Sequence, residues 1–201
     1  MSQRMIYQHM FSKGKVVNIG CGEDPCGFGD DAVHVDMDVY NHKNFVQADA
    51  HHLPFKDQEF DTAILGDMLE HCSDPAQVLR EAARVAKKIV VTIFEEWRLP
   101  GEGLHTDVMV ERGEKDVKDL GFDSHLNYLK SLATVKDKIV SVTDDSVTAH
   151  HFHIFQFTDE NLRQIIDDAG LEVEILHKFP EGVEQGRQWY NWLLIGKRRA
   201  A

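Results

Sequence analysis

Val16-Val17-Asn18-Ile19-Gly20-Cys21-Gly22, residues 16–22, is the stretch whose reading decides the fold. Val16 to Ile19 has the apolar, β-branched make-up of a short buried strand, and Gly20 closes it. Glycine lets a chain turn sharply after a strand and lets backbone approach a ligand, because no Cβ intrudes. A G-x-G alone is common in turns; its place directly behind a buried strand gives it meaning. A dinucleotide loop would continue as G-x-G-x-x-G and open a helix. Here the third glycine position is Pro25, and residues 23–31 carry no helical pattern. The next apolar run begins at Ala32, too soon for an ordinary crossover helix. The loop therefore reads as a ligand-facing turn that is unsuited to pyrophosphate, which disfavours a nicotinamide-dependent oxidoreductase.

Working outward, further short apolar runs close on polar residues. Ala32 to Val35 ends at Asp36, Phe45 to Ala48 ends at Asp49, and Thr62 to Leu65 and Ile89 to Phe94 follow. These predict buried parallel strands. Asp74-Pro75 predicts a helix start, with Val78, Leu79, Ala82, Val85 and Ala86 at helical spacing. Thr158 starts another helix, with Leu162, Ile165, Ile166 and Ala169 on its apolar face and Gly170 as its stop. Strands are expected again at Leu171–Leu176 and Trp189–Ile195. The alternation predicts one α/β domain over residues 13–201, with its ligand crevice at the carboxyl ends of the strands. Residues 1–12 read as a lead-in, with amphipathic hints at Met5, Ile6, Met10 and Phe11. Residues 100–150 break the rhythm, with a faint helical pattern at Leu126 to Leu132, and are expected to form an inserted lid.

Composition narrows the function classes. Of 201 residues, 42% are hydrophobic and 28% charged, ordinary values for a globular domain. The net charge of -12 repels phosphate backbones and makes nucleic acid an unexpected partner. The basic cluster Lys197-Arg198-Arg199 reads as a solvated tail. No apolar run approaches the ~20 residues that cross a bilayer, and Met1 to Phe11 lacks the pattern of a secretory leader. A cytoplasmic location without membrane partners is expected. Cys21, Cys26 and Cys72 are too few and uneven for a disulfide framework. Cys21 and Cys26, with His34 beyond, lack the second ligand pair a zinc site wants, so no metal is expected.

The carboxylates at the strand ends carry the chemistry. Asp36, with Asp38 as the alternate, can accept hydrogen bonds from both hydroxyls of a ribose. Asp49 stands where an acidic acceptor can take the exocyclic amine of adenine. Gly66-Asp67-Met68 follows the fourth strand and can line the crevice.

Taken together, VVNIGCG, HVDMD, QADAHHLPFKDQEFD, ILGDMLEHCSDP and VLREAARVAK resemble the successive motifs of class I, Rossmann-like, S-adenosylmethionine-dependent methyltransferases of the type 11 kind. The resemblance covers about residues 15–96. It returns at His153-Ile154-Phe155-Gln156-Phe157-Thr158 and in the closing strand, Trp189 to Lys197. It implies a central, mostly parallel seven-stranded sheet with an antiparallel last strand and helices on both faces. It implies S-adenosyl-L-methionine as cofactor and S-adenosyl-L-homocysteine as product. By position, Gly20, Cys21 and Gly22 would pack on the methionine part. Asp36 would hold the ribose with Met37 against adenine, and Asp49 the adenine amine with Ala50 beside it. Leu65, Gly66 and Asp67 would lie near the sulfonium and amino group. Asn18 stands where the family often has an acidic residue that receives the methionine amino group. The first crossover is shortened, and the usual Pro-Gly-Gly before strand five is replaced by Lys87-Lys88.

The expected activity is methyl transfer, by in-line displacement, to a small polar or sugar-containing acceptor. A SAM-binding module without transfer activity, and a methyltransferase acting on RNA or protein, remain open alternatives. For a hydroxyl acceptor a histidine would serve as general base. His153 is the first candidate and His105 the second; His151 lies beside the first, and His71 reads as a helix-end structural residue. Trp97, Phe122, Tyr128, Trp189, Tyr190 and Trp192 are candidates for a substrate wall, although packing roles are commoner for such residues.

Overall fold

In the computed structural model the described residues are 2–23, 27, 28, 31–95, 140–142, 147–149, 157–184 and 187–200. Helix α1 (Gln3–Phe11) precedes strands β1 (Val16–Ile19), β2 (Val33–Asp36), β3 (Phe45–Gln47) and β4 (Phe60–Gly66). A 3-10 turn, Leu69–His71, leads to α2 (Pro75–Val85) and β5 (Ala86–Glu95). Then come β6 (Val140–Val142), β7 (Val147–Ala149), α3 (Asp159–Asp168), β8 (Leu171–Glu184) and β9 (Arg187–Arg198). Seven strands form one sheet in the order β3-β2-β1-β4-β5-β9-β8, while β6 and β7 pair antiparallel by themselves. The first five pair in parallel. β9 runs antiparallel to both β5 and β8. This is the expected α/β sheet with one reversed strand, the last in the chain. The order reverses between β1 and β4, which opens a crevice beyond their carboxyl ends.

Side chains alternate across the sheet, so each strand feeds two cores. Ala63, Leu65, Ile89, Val91, Ile93, Trp192 and Leu194 face α2 and α3. Ile64, Val90, Leu193 and Ile195 face the other way, where Tyr7 and Phe11 of α1, Phe28 and Phe179 cover them. Each large side chain removed from water in this way contributes ~1.5–3 kcal/mol.

Both predicted helix starts carry their caps. The Asp74 carboxylate accepts from the Gln77 N–H at 2.9 Å with Pro75 in the first turn. Thr158 and Asn161 cap each other's backbone in a reciprocal box. The stretch Leu53 to Asp57 is held by Arg84 of α2. Its guanidinium donates to the carbonyls of Leu53 and Phe55 (2.9 and 2.7 Å) and to Asp57. It also pairs with Glu81, which in turn accepts the Leu53 N–H. Burial works to raise the Glu81 pKa and is outweighed by these hydrogen bonds, which lower it.

Several elements differ from expectation. β5, β8 and β9 extend beyond the apolar runs Ile89–Phe94, Leu171–Leu176 and Trp189–Ile195, because main-chain pairing continues through polar residues. β8 is the sheet edge, which tolerates Pro180, with irregularities at Val173/Ile175 and Pro180/Gly182. The described residues between β1 and β2 form turns and bends, as the short spacing requires. The lead-in is a docked helix. Tyr7 meets Phe179 edge-on at 4.9 Å, and Gln8, fully buried, donates to the Thr92 hydroxyl at 2.9 Å. A Cβ at Gly66 would lie 2.7 Å from that Gln8 amide nitrogen, so the close seat of α1 needs glycine there. Of the expected lid, only β6 and β7 fall among the described residues. Among the described residues no helix is long and apolar enough to cross a membrane.

Candidate functional site

A cavity of about 220 Å³ lies beyond the carboxyl ends of β1, β2 and β4. Gly20 and Gly22 form one wall, Asp36, Met37, Asp38 and Tyr40 a second, and Ala48 and Ala50 a third. Asp67, Met68 and His71 close the far end. Both glycines have positive φ, +70° and +58°. A Cβ on Gly20 would come within 2.9 Å of Met68 Cβ, whereas one on Gly22 would meet nothing within 4 Å. Gly20 thus brings two loops together, and Gly22 presents bare backbone to open space.

The loop is fastened by hydrogen bonds. The N–H groups of Gly20 and Cys21 donate to the Val35 carbonyl at 2.8 and 3.1 Å. Asp36 accepts from the Gly22 N–H with Oδ2 (2.9 Å) and from the Asp38 N–H with Oδ1 (3.1 Å). The His42 ring nitrogen Nε2 lies 2.7 Å from the Gly22 carbonyl oxygen. A carboxylate offers about four acceptor positions, so Asp36 is fixed in orientation while still able to accept from a ligand. Burial, then Asp36 and Asp38, push the Tyr40 phenol up. It therefore stays a hydrogen-bond donor in neutral solution.

A second cavity, of about 560 Å³, adjoins the first and shares Asp67 and His71 with it. Ser2, Arg4, Glu70, Phe94, Glu181 and Trp189 complete it. Asp67 has a left-handed backbone, φ 49°, which aspartate tolerates better than most residues. Its carboxylate accepts from the Arg4 guanidinium and from Asn191 Nδ2 at 3.2 Å. The Arg4 backbone N–H donates to Glu181 at 3.0 Å. Phe94 and Trp189 rings lie 5.2 Å apart at 47°. Glu70 is 1% exposed, and neither carboxyl oxygen has a hydrogen bond of ordinary geometry among the described residues. Burial, and Asp67 beside it, hold its pKa well above the usual carboxylate range.

Of the expected cofactor residues, Gly20, Gly22, Asp36, Met37, Ala50 and Asp67 line the first cavity together. Asn18, Cys21 and Leu65 are buried behind it, and Gly66 faces α1. Asp49 lies one residue from each lining alanine, and its Oδ1 accepts both the backbone N–H (2.9 Å) and Nδ1 (2.7 Å) of His51. The Asp74 N–H meets His51 Nε2 at 3.4 Å, which fixes the ring hydrogen on Nδ1. Asp49 and His51 so join the end of β3 to the cap of α2. His153, His105 and His151 lie outside the described residues, as do Cys26, Trp97, Phe122 and Tyr128. His71, expected to be structural, lines both cavities. Sequence reading missed Arg4, Tyr40, Asn191 and the separate standing of Glu70. The amphipathic spacing of residues 5–11 was the one signal that tied Arg4 to the core. Among the described residues no cluster of acidic, His or Cys side chains suits a metal ion.

Residues 30–94 match the family model of a methyltransferase domain. A 40-residue segment is 52% identical to the uncharacterized protein YafS of Escherichia coli (strain K12), spanning 20% of this chain and 17% of that protein. The fold is shared with solved structures of low identity. A methyltransferase-like protein of Bacillus halodurans C-125 is 15% identical, with 98% of this chain and 99% of that one covered and a TM-score of 0.55. The Burkholderia thailandensis 1,6-didemethyltoxoflavin-N1-methyltransferase, solved with bound 1,6-didemethyltoxoflavin and S-adenosylhomocysteine, is 12% identical. There the coverage is 99% and 80%, and the TM-score is 0.56. The [4+2]-cyclase SpnF is 14% identical, with coverage of 98% and 80% and a TM-score of 0.57. One architecture thus hosts different reactions, and the reaction has to be argued from the site.

Proposed function

We propose that this chain, whose fold and whose residues 30–94 are those of a class I Rossmann-like methyltransferase, uses S-adenosyl-L-methionine to methylate a small polar acceptor. The first cavity carries this reading: bare glycine backbone, a clamped carboxylate and small apolar residues meet at the switch point of the sheet. The residues present fit the cofactor. Gly22 leaves open the space that any Cβ would fill. Asp36 keeps acceptor capacity for ribose hydroxyls, with Asp38 one pleat further on. Met37, Ala48 and Ala50 offer an apolar slot for the adenine ring, and Asp49 sits at its edge. Asp67 is held by Arg4 and Asn191 where a cationic amino group can be received.

When bound, the cofactor supplies a methyl group already activated on a sulfonium. The protein's share is then positioning, which can supply ~7–11 kcal/mol. The clamped Gly20–Gly22 loop and Met68 fix one reactant. The second cavity, meeting the first at Asp67 and His71, is a place for the other. For an acceptor that must lose a proton, His71 is the imidazole that lines this border among the described residues, while the expected His153 and His105 lie outside them. The net charge of -12 favours a small acceptor over nucleic acid.

Calorimetry with S-adenosylhomocysteine and NAD tests the cofactor; preference for NAD would overturn it. Asp36→Ala should weaken S-adenosylhomocysteine about 10- to 100-fold, the range for a charge-assisted contact. A larger loss in Asp38→Ala would move the ribose to Asp38. Labelled-methyl transfer to small-molecule, RNA and protein pools tests the acceptor. Cofactor binding with no transfer to any pool would favour the inactive module.

A further inference from the structure

Resting on the methyl-transfer reading, the second cavity says more about what is methylated. We propose that it binds the cationic amino group of a small aromatic amine, and that this nitrogen is the methyl acceptor. Three carboxyl groups, Asp67, Glu70 and Glu181, line the cavity against one guanidinium, Arg4. That guanidinium is already directed at Asp67, and the Arg4 backbone N–H at Glu181. A carboxylate ligand would meet excess negative charge with its one candidate counter-ion committed. An ammonium meets the opposite field, reinforced by the acidic balance of the whole protein.

Glu70 is the second, independent observation. A buried carboxyl that the backbone N–H groups of Glu70 and Phe94 approach, but whose oxygens have no hydrogen bond of ordinary geometry among the described residues, is under-satisfied, which is rare and costly in a folded protein. It therefore calls for a donor from outside, and an ammonium brings three N–H donors. The arrival of that charge also favours the ionised carboxylate. Phe94 and Trp189 supply the rest of the wall. Aromatic faces attract a cation within about 6 Å, and they stack with an aromatic ring on the same ligand. A neutral alcohol would gain the stacking and none of the charge.

Asp67 and His71 belong to both cavities, so an amine held by the carboxyls lies at the border where transfer would occur. The chemistry balances once the ammonium has given one proton to water. The nitrogen lone pair then forms the new N–C bond, and the electron pair of the broken C–S bond stays on sulfur.

Binding of phenethylamine, 2-phenylethanol and 3-phenylpropionate, measured by calorimetry on the whole protein with and without S-adenosylhomocysteine, tests this. The amine should bind at least tenfold tighter than either analogue. Glu70→Gln should weaken it at least tenfold while S-adenosylhomocysteine affinity stays within twofold. Trp189→Leu should weaken the amine several-fold more than the alcohol, which keeps the test open if Glu70→Gln does not fold. Equal or tighter binding of the alcohol or the carboxylate would overturn the proposal. So would no binding by any of the three, unchanged amine affinity in both variants, or displacement of the amine by millimolar Mg²⁺. Amine selectivity without S-adenosylhomocysteine binding would instead overturn the cofactor reading alone.

Discussion

The two cavities sit side by side and are built in opposite ways. The first is held by backbone. Its walls come from consecutive residues at the ends of neighbouring strands, and its bonds run from N–H groups of the glycine loop to Val35 and Asp36. The second is held by side chains brought from residues 2 to 191, with Arg4, Asp67 and Asn191 joined in one network. A backbone-built wall suits a ligand that never changes, because few substitutions can alter it. A side-chain wall can be rewritten one residue at a time, which is how one fold comes to serve different acceptors.

The sharpest way to break this contrast is Gly20→Val. A β-branched residue at φ +70°, with its Cβ 2.9 Å from Met68, should cost ~3–4 kcal/mol of stability in urea denaturation. It should also abolish S-adenosylhomocysteine binding in calorimetry. If it is tolerated, the first wall is not backbone-determined. Arg84→Ala comes next. It removes the clamp on Leu53 to Asp57 behind the first cavity and should cost about 2–3 kcal/mol by the same denaturation measurement. Cofactor affinity should fall less than stability does.

Glu70→Gln sharpens the contrast through pH. The folded state holds the Glu70 proton more firmly than its ordinary value of 4.5 allows. The stability this contributes is complete below about pH 4.5 and is lost as pH rises through the folded value. Melting curves from pH 4 upward should therefore show wild type losing stability relative to Glu70→Gln. The difference should grow by at most ~1.4 kcal/mol per pH unit, the limit for one proton. Parallel curves would show that Glu70 is not buried in solution. Arg4→Ala should be mildest, ~1 kcal/mol, because its side chain is 36% exposed and its ion pair is screened. It should leave S-adenosylhomocysteine affinity within about threefold on calorimetry, while acceptor affinity changes more.

Much of the first cavity was legible in the sequence because its physics is local. A strand, a glycine turn and an acidic strand end are neighbours in the chain, and parallel pairing sets them side by side. Gly20, Gly22 and Asp36 are expected on these grounds, and Met37 and Ala50 on the resemblance; all five line the cavity. Asp49, expected at the adenine amine, and Leu65, set near the sulfonium by the resemblance, are not among the residues that line the cavity. Asp49 is drawn to His51, and Leu65 points by strand alternation into the α2 core. Burial behind a wall and exposure on it leave the same trace in a motif. The QADAHHLPFKDQEFD stretch carries part of the resemblance, while the physical support of its Leu53 to Asp57 segment, the Arg84 clamp, needs α2 laid against it.

By itself the sequence determined the α/β class, the two helix starts, the short first crossover and which residues stand at the ends of β1 and β2. Each depends on turn geometry, capping or strand burial within a few residues. Only the tertiary structure decided that α1 belongs to the core, that Arg4 reaches Asp67, and that Glu70 and His71 face a second cavity with Trp189. Those contacts join residues far apart in the chain, 63 positions for Arg4 and Asp67 and 124 for Asp67 and Asn191, across strands β4, β5 and β9. Their partners are chosen by the order of strands in the sheet, which no local pattern encodes.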